Sequence, residues 1–184
     1  QQSLTSGDPY DEGFRYFARL ATTSADSNAN NYYYIAQVIE SQNLACSGWN
    51  YTSSSSSVCI SFWGRCSEAG TYYCQLRTED TPQYNYPFAF TISANTWTKV
   101  AKTIPGNSNL VFNNDNGAGI QVRFVPYYGG TYTSGSAVLN DWSAHSAPDQ
   151  LPDFSTDFGA TSGNTFDITG VQLEVGSVAT PFEH

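Results

Sequence analysis

Three segments of the chain, Val58–Arg65, Thr71–Thr78 and Gly119–Val125, alternate apolar and polar side chains as half-buried strands do. Their outward side chains are Trp63, Arg65, Tyr73, Gln75, Arg77, Gln121 and Arg123. If the first two strands pair with each other, these side chains share one sheet face. Aromatic rings stack on the C–H faces of sugars, while Arg and Gln hydrogen-bond to hydroxyls or a carboxylate. We expect this face to bind a glycan, with Trp63 stacked on a sugar ring.

A long irregular segment over residues 127–164 supplies further candidate contacts and an alternative. Tyr127 and Tyr128 precede two glycines and could adapt to a ligand, and Trp142 could contact it from the rim. The alternative is that this segment, or a neighbouring subunit, covers the predicted face and buries Trp63. Loop tryptophans also fold back onto a sandwich, so Trp142 admits the same two interpretations.

The elements that position these residues are about eight short strands separated by turn residues. They are Phe14–Leu20, Tyr32–Ile39, Val58–Arg65, Thr71–Thr78, Phe88–Ile92, Thr98–Ile104, Gly119–Val125 and Thr165–Val175. No segment shows a convincing helical period. Many short alternating strands predict an all-β domain, here a two-sheet jelly-roll sandwich of antiparallel strands over residues 1–184.

Charge and composition exclude several classes of partner. The 184 residues include 7 Lys and Arg against 16 Asp and Glu, for a net charge of −9. A nucleic-acid partner needs a basic stripe, which this balance does not supply. No apolar stretch approaches the roughly 20 residues of a membrane span, so we expect no membrane insertion. The sequence has no Met, so we expect it to be a piece of a longer chain.

The acidic residues and histidines carry no motif of catalysis. No pattern separates two carboxylates from the rest, and neither histidine has a Ser or Cys signature around it. We expect a non-catalytic protein without a cofactor, and we interpret Asp157, Asp167 and Glu174 as solvated or strand-edge residues. The segment Asn113–Gly117 resembles a calcium loop but has one carboxylate, and its Asn-Gly pair also suits a tight turn.

Four cysteines leave two interpretations open. Cys66 and Cys74 flank a predicted turn and could face each other, in which case Cys46 and Cys59 would close a Ser-rich loop. The alternative is four reduced thiols. Cys-x-x-Cys pairs are absent from the sequence and there are only two histidines, so we expect no structural zinc site.

Several motifs resemble those of carbohydrate-binding-module-like jelly rolls. The matching pieces are Ile60–Ser67, Thr96–Gly106 and Asn114–Gly117, with a further match at Tyr34–Glu40. The most specific piece, Phe166–Glu183, resembles a C-terminal signature of bacteriophage tail-fibre and related virion proteins. The resemblance covers roughly Phe14 to His184. In that group the domain starts earlier, with a strand and a Trp, and continues further, so we expect both edges of this chain to be trimmed.

This resemblance implies a receptor-binding domain of a virion protein that contacts host-surface polysaccharide. It also implies a homotrimer or other homo-oligomer, assembled in the host cytoplasm and acting outside the cell. Two alternatives remain. One is a purely structural virion domain, for capsid decoration or fibre trimerisation. The other is a carbohydrate-binding module attached to a secreted glycoside hydrolase. Related modules often hold a structural calcium with an acidic residue in the last strand, but the matching stretch Ile168–Val171 has no carboxylate.

Overall fold

The computed structural model describes residues 1–183. Ten β-strands are connected mainly by turns, with two short α-helices and two 3-10 turns. The strands are β1 (Gln2–Ser3), β2 (Tyr16–Ala21), β3 (Tyr32–Glu40), β4 (Ser57–Cys66), β5 (Gly70–Thr78), β6 (Tyr84–Ile92), β7 (Thr98–Pro105), β8 (Ala118–Tyr128), β9 (Ser143–Ala144) and β10 (Thr165–Val175). The helices are α1 (Asp8–Asp11) and α2 (Ser41–Ala45), and the 3-10 turns span Ala147–Asp149 and Phe158–Ala160.

The strands form two five-stranded antiparallel sheets that pack face to face. The first sheet has the order β1-β2-β10-β4-β7, and the second has the order β3-β8-β5-β6-β9. All eight predicted strands are present, which confirms the all-β, two-sheet jelly-roll sandwich. The two-residue strands β1 and β9 and both short helices were not predicted, because such short elements carry too few residues to show a period.

Aromatic side chains fill the space between the two sheets. Phe62 on β4 of the first sheet lies with its ring centroid 5.2 Å from that of Phe90 and 4.8 Å from that of Phe124, both on the second sheet. Trp49 and Trp142, which lie in loops, are 3% and 6% exposed and belong to the same core. The ring nitrogen of Trp142 donates a hydrogen bond to the Pro105 carbonyl at 2.7 Å. Trp142 is therefore a core residue, as expected for a loop tryptophan that folds back onto the sandwich.

The predicted pairing of β4 with β5 is wrong. β4 pairs with β10 and β7, whereas β5 pairs with β6 and β8 in the opposite sheet. The chain between Cys66 and Gly70 therefore crosses from one sheet to the other. Because each strand keeps its own alternation, the outward residues were assigned correctly. Those of β4, however, lie on the outer face of the first sheet, and those of β5 and β8 lie on the outer face of the second.

All four cysteines are free thiols in the structure. Cys66 and Cys74 sit on strands of different sheets, both facing the core, and Cys59 is buried on β4. Burial raises the pKa of these three thiols. Cys46 is exposed at the end of α2. Within residues 1–183, none of the helices has the length and apolar character to cross a membrane.

Candidate functional site

Trp63 lies on the outer face of the first sheet, under a cover made by the chain itself. It is 7% exposed and packs with Leu4, Phe14 and Phe17. Its ring nitrogen donates a hydrogen bond to Glu12 Oε2 at 3.0 Å. The sequence assigned the outward direction of Trp63 correctly, but its predicted openness to a ligand is wrong, because the N-terminal segment folds over it.

Arg65 shares this covered face and is bound to a buried carboxylate. Asp167, 1% exposed, accepts hydrogen bonds from Arg65 at 2.8 and 3.0 Å and from Arg19 at 2.7 and 2.9 Å. The Arg65 guanidinium also lies 4.5 Å from the ring centroid of Trp97. The interpretation of Asp167 as a solvated or strand-edge residue is therefore wrong. Because both oxygens are occupied by arginines, this cluster holds the sheet face together.

The outer face of the second sheet is covered at one end and open at the other. Tyr73 is 6% exposed and packs edge-on against Phe154, with ring centroids 4.9 Å apart. Gln75 is fully buried, and its Nε2 lies 3.5 Å from the Gln150 carbonyl. The 127–164 segment therefore covers this end, as the alternative predicted. The other end forms an open cleft.

We call this open part the tyrosine–arginine cleft. Its volume is about 260 Å³. Its lining residues are Tyr32, Tyr34, Arg77, Arg123, Tyr128, Tyr132 and Gln150. They come from strands β3, β5 and β8 and from the covering segment.

Four tyrosine rings pack against one another around the cleft. Tyr32 and Tyr34 are stacked at 18° with centroids 5.9 Å apart, and Tyr132 meets Tyr32 edge-on at 5.4 Å. Tyr128 lies 6.0 Å from Tyr132 and is 3% exposed, while Tyr32 is 54% exposed. Burial raises the pKa of the Tyr128 phenol, partly offset by Arg123, so this hydroxyl stays protonated. The cluster therefore has a buried ring, Tyr128, at its bottom and an exposed ring, Tyr32, at its surface.

Local strand geometry explains why these rings meet. Tyr32 and Tyr34 share a face because side chains alternate along β3. On β8, alternation from Arg123 would turn Tyr128 toward the core. Near Pro126, however, the register with β3 shifts. Tyr33 pairs with Tyr127 and Ile35 pairs with Phe124, so β8 has one extra residue between these pairs. Such a bulge reverses the alternation, and proline suits it because it has no N–H to pair. Tyr128 therefore joins Arg123 on the outer face.

Two arginines give the cleft its charge. The Arg123 guanidinium lies 5.1 Å from the ring centroid of Tyr34 and donates from Nε and Nη2 to Gln121 Oε1 at 2.9 and 2.8 Å. Arg77 donates from Nη2 to Gln83 Oε1 at 3.1 Å. Glu79 lies between them, with its Oε1 at 3.4 Å from Arg77 Nε and 3.7 Å from Arg123 Nη2. This region therefore carries two positive charges against one negative charge.

Buried amides and a histidine lie beside the arginines. Gln150 is 7% exposed, and its side-chain oxygen has no hydrogen-bond partner. His145 Nδ1 lies 3.0 Å from Asn85 Nδ2. Burial lowers the pKa of His145, and the charges of Arg77 and Arg123 lower it further. His145 is therefore neutral at pH 7, and the arginines supply the positive charge here.

The cleft gathers only part of the predicted site. Arg77, Arg123 and Tyr128 line it, and Gln121 supports Arg123 from beside it. The remaining predicted residues lie elsewhere: Trp63 and Arg65 on the opposite face, Tyr73 and Gln75 under the covering segment, and Tyr127 and Trp142 against the core. The prediction of one shared face is therefore wrong, whereas ligand binding by the individual residues stays a prediction.

Four lining residues of the cleft were not predicted from the sequence: Tyr32, Tyr34, Tyr132 and Gln150. The spacing Tyr32-x-Tyr34 in a predicted strand was a signal for two of them, because it puts both rings on one face. Tyr132 and Gln150 lie in irregular chain, where no periodicity indicates direction.

The Asn113–Gly117 segment is held by its own hydrogen bonds and by Asp80. Asp115 Oδ1 accepts from the Gly117 N–H at 3.0 Å, and Asn113 Nδ2 donates to Asp80 Oδ1 at 2.6 Å. Within residues 1–183, no group of three or more His, Cys, Asp or Glu is placed to hold a metal ion.

Comparison with known proteins finds solved structures of distant similarity. No protein-family model matches the sequence, and no curated protein matches it. A solved structure described as "CBM4 structure and function" is similar over 87% of this chain and 71% of its own, at 10% identity and a TM-score of 0.44. Another, "Family 16 Carbohydrate Binding Module-2", is similar over 88% of this chain and 77% of its own, at 10% identity and a TM-score of 0.40. At this distance neither carries an argument about the ligand, which must come from the cleft.

Proposed function

We propose that the protein binds a glycan in the tyrosine–arginine cleft. The observation that carries this proposal is the packing of four tyrosine rings around an open cleft that also holds two guanidinium groups. Sugar rings present apolar C–H faces that stack on aromatic rings, and their hydroxyls accept hydrogen bonds from guanidinium and amide groups. The exposed ring of Tyr32 is available for stacking.

We further propose that binding leaves the glycan chemically unchanged. The charged groups that line the cleft are guanidiniums, which remain protonated and donate hydrogen bonds without taking up protons. Such groups hold and orient polar atoms. This supports a binding module.

The test replaces Tyr32 with Ala and measures retention on immobilised polysaccharides. Tyr32 is 54% exposed, so the change should leave the unfolding temperature almost unaltered. Loss of one stacking ring should weaken binding roughly three- to tenfold. Tyr16→Ala is the matched control, because Tyr16 is 57% exposed on the other sheet. Equal retention of both variants on a polysaccharide that binds the unaltered protein would contradict the proposal.

The setting of this binding is proposed from the sequence resemblance alone. That resemblance, at Phe166–Glu183, supports a virion protein that acts outside the cell on a host-surface polysaccharide, as a homotrimer or other homo-oligomer. Light scattering tests the oligomeric state, and a fibre stem or a glycoside hydrolase domain encoded by the same gene would distinguish the two settings. If the role is purely structural, Tyr32 is a subunit contact, and Tyr32→Ala should lower the mass of the assembly while the protein retains no polysaccharide.

A further inference from the structure

We infer that the glycan carries a carboxylate, which binds beside Arg77 and Arg123. This inference rests on the proposed function of the cleft, and it concerns the chemical class of the ligand. It comes from an imbalance between guanidinium donors and carboxylate acceptors at this site.

The covered face of the first sheet shows how this protein saturates two arginines. There, Asp167 accepts four hydrogen bonds of 2.7 to 3.0 Å from Arg19 and Arg65. These lengths are those of charge-assisted hydrogen bonds. In this protein, one carboxylate can therefore form hydrogen bonds with two guanidinium groups at once.

The cleft has the same ratio of charges without the same contact. Glu79 Oε1 is 3.4 Å from Arg77 Nε and 3.7 Å from Arg123 Nη2, and this buried oxygen accepts no hydrogen bond. The buried Nε of Arg77 likewise has no hydrogen-bond partner. Glu79 Oε1 thus compensates the charge of the arginines in part but forms a hydrogen bond with neither of them.

Arg77 has the greater spare capacity. A guanidinium has five N–H donors, and the one hydrogen bond of Arg77 goes from Nη2 to Gln83. Its side chain is 19% exposed and lines the cleft. Arg123 is more buried, at 8%, and its Nη1 makes only a long contact of 3.5 Å to the Tyr128 hydroxyl. A ligand carboxylate at Arg77 would meet the unused N–H groups of its terminal nitrogens, since Nε itself is buried. The setting is partly desolvated, where charge-assisted hydrogen bonds are strong.

A single negative charge suits this site better than a double one. Arg77 and Arg123 with Glu79 leave one net positive charge, in a protein whose net charge is −9. A carboxylate neutralises that charge and offers two coplanar oxygens to a planar guanidinium. A doubly charged phosphate would exceed that one positive charge and would be repelled more strongly by Glu79 than a carboxylate would. The geometry therefore points to a sugar acid rather than a phosphorylated sugar.

The experiment compares acidic polysaccharides with their own carboxyl-reduced forms. Polygalacturonate, alginate, hyaluronan and polysialic acid are each tested beside the polymer in which the carboxylates are reduced to alcohols. A phosphorylated mannan and dextran serve as the phosphate and neutral arms. Binding is measured by affinity electrophoresis and by calorimetry. We expect at least one acidic polymer to bind, and its reduced form to bind at least about tenfold more weakly. Raising the salt from roughly 0.05 M to 0.5 M should weaken the acidic interaction.

Arg77→Gln identifies the group responsible, and Arg15→Gln is its control. Both variants remove one positive charge, but Arg15 is exposed near the N-terminus, with its guanidinium over the Tyr10 ring. Arg77→Gln should abolish the preference for the acidic polymer, and Arg15→Gln should keep it. Equal binding of an acidic polymer and its reduced form, or stronger binding of the phosphorylated mannan, would overturn the inference while the proposed function stands. Failure of every polymer to bind would overturn both.

Discussion

Replacing Asp167 with Asn removes the charge that links β10 to both of its neighbouring strands while keeping the side-chain volume. Asp167 on β10 is buried and accepts from Arg19 on β2 and Arg65 on β4, the two strands that flank it. In the variant, one oxygen becomes an NH₂ group that faces a guanidinium. Neither arginine then has a carboxylate partner here.

The expected loss of stability depends on how far water can solvate the two guanidinium groups in the variant. Breaking a fully buried ion pair costs about 3–5 kcal/mol. The Arg19 and Arg65 side chains are 32% and 25% exposed, so water can solvate part of each guanidinium. We therefore expect a loss of about 2–3 kcal/mol, below the fully buried range. In a chain of this length that lowers the unfolding temperature by roughly 5–10 °C.

Urea unfolding followed by tryptophan fluorescence measures this loss, with Glu12→Gln as the control. Glu12 also pairs with a cation, Lys99 at 2.8 Å, but their side chains are 39% and 52% exposed. An exposed pair contributes at most about 1 kcal/mol, and Gln can still accept from Trp63. If Asp167→Asn unfolds at the urea concentration of the unaltered protein, or if both variants lose equal stability, the role given to the buried carboxylate is wrong. Polysaccharide binding should survive in both, because the cleft lies on the other sheet.

Four other variants or treatments test the structure elsewhere. Trp63→Ala should cost about 3–5 kcal/mol in urea unfolding, because it empties the cluster under the N-terminal segment. Gly170→Ala should also destabilise, because Gly170 has φ 60° and an added Cβ would lie 2.7 Å from the Phe14 ring, so its unfolding temperature should drop. A thiol reagent should label Cys46 alone in the folded protein and all four thiols in denaturant. The pKa of His145 is lowered in the folded state, so the unfolded chain binds a proton first as the pH falls below about 6.5. The free energy of unfolding should therefore decrease below that pH. In thermal unfolding, His145→Gln should make this decrease smaller.

The strands could be predicted because each carries its own signal. Phe62, Phe124 and their neighbours repeat every second residue, which fixes both the strand and the side that faces the core. The direction of Trp63 was correct for the same reason. Alternation within one strand contains no information about which strand lies beside it, so β4 and β5 were wrongly placed in one sheet.

The site depended on features that periodicity does not reveal. Tyr128 reached the cleft through a bulge near Pro126, and Tyr132 through the path of an irregular segment. Burial of Trp63 depended on α1 and the residues around it, which form no periodic element. Asp167 lies in a predicted strand, but its two arginine partners are 102 and 148 residues away in the chain. Contacts at such separation follow from the sheet order.

The two faces of the sandwich also determine how the protein is oriented when it is held by an end. Leu4 and Phe182, near the two ends of the described chain, both pack in the cluster around Trp63 on the first sheet. The tyrosine–arginine cleft opens from the second sheet, on the far side of the core. A tether at either end would therefore leave the cleft facing the solution. Copies fixed side by side would present parallel clefts to one polymer, and its retention would rise with their density through effective concentration.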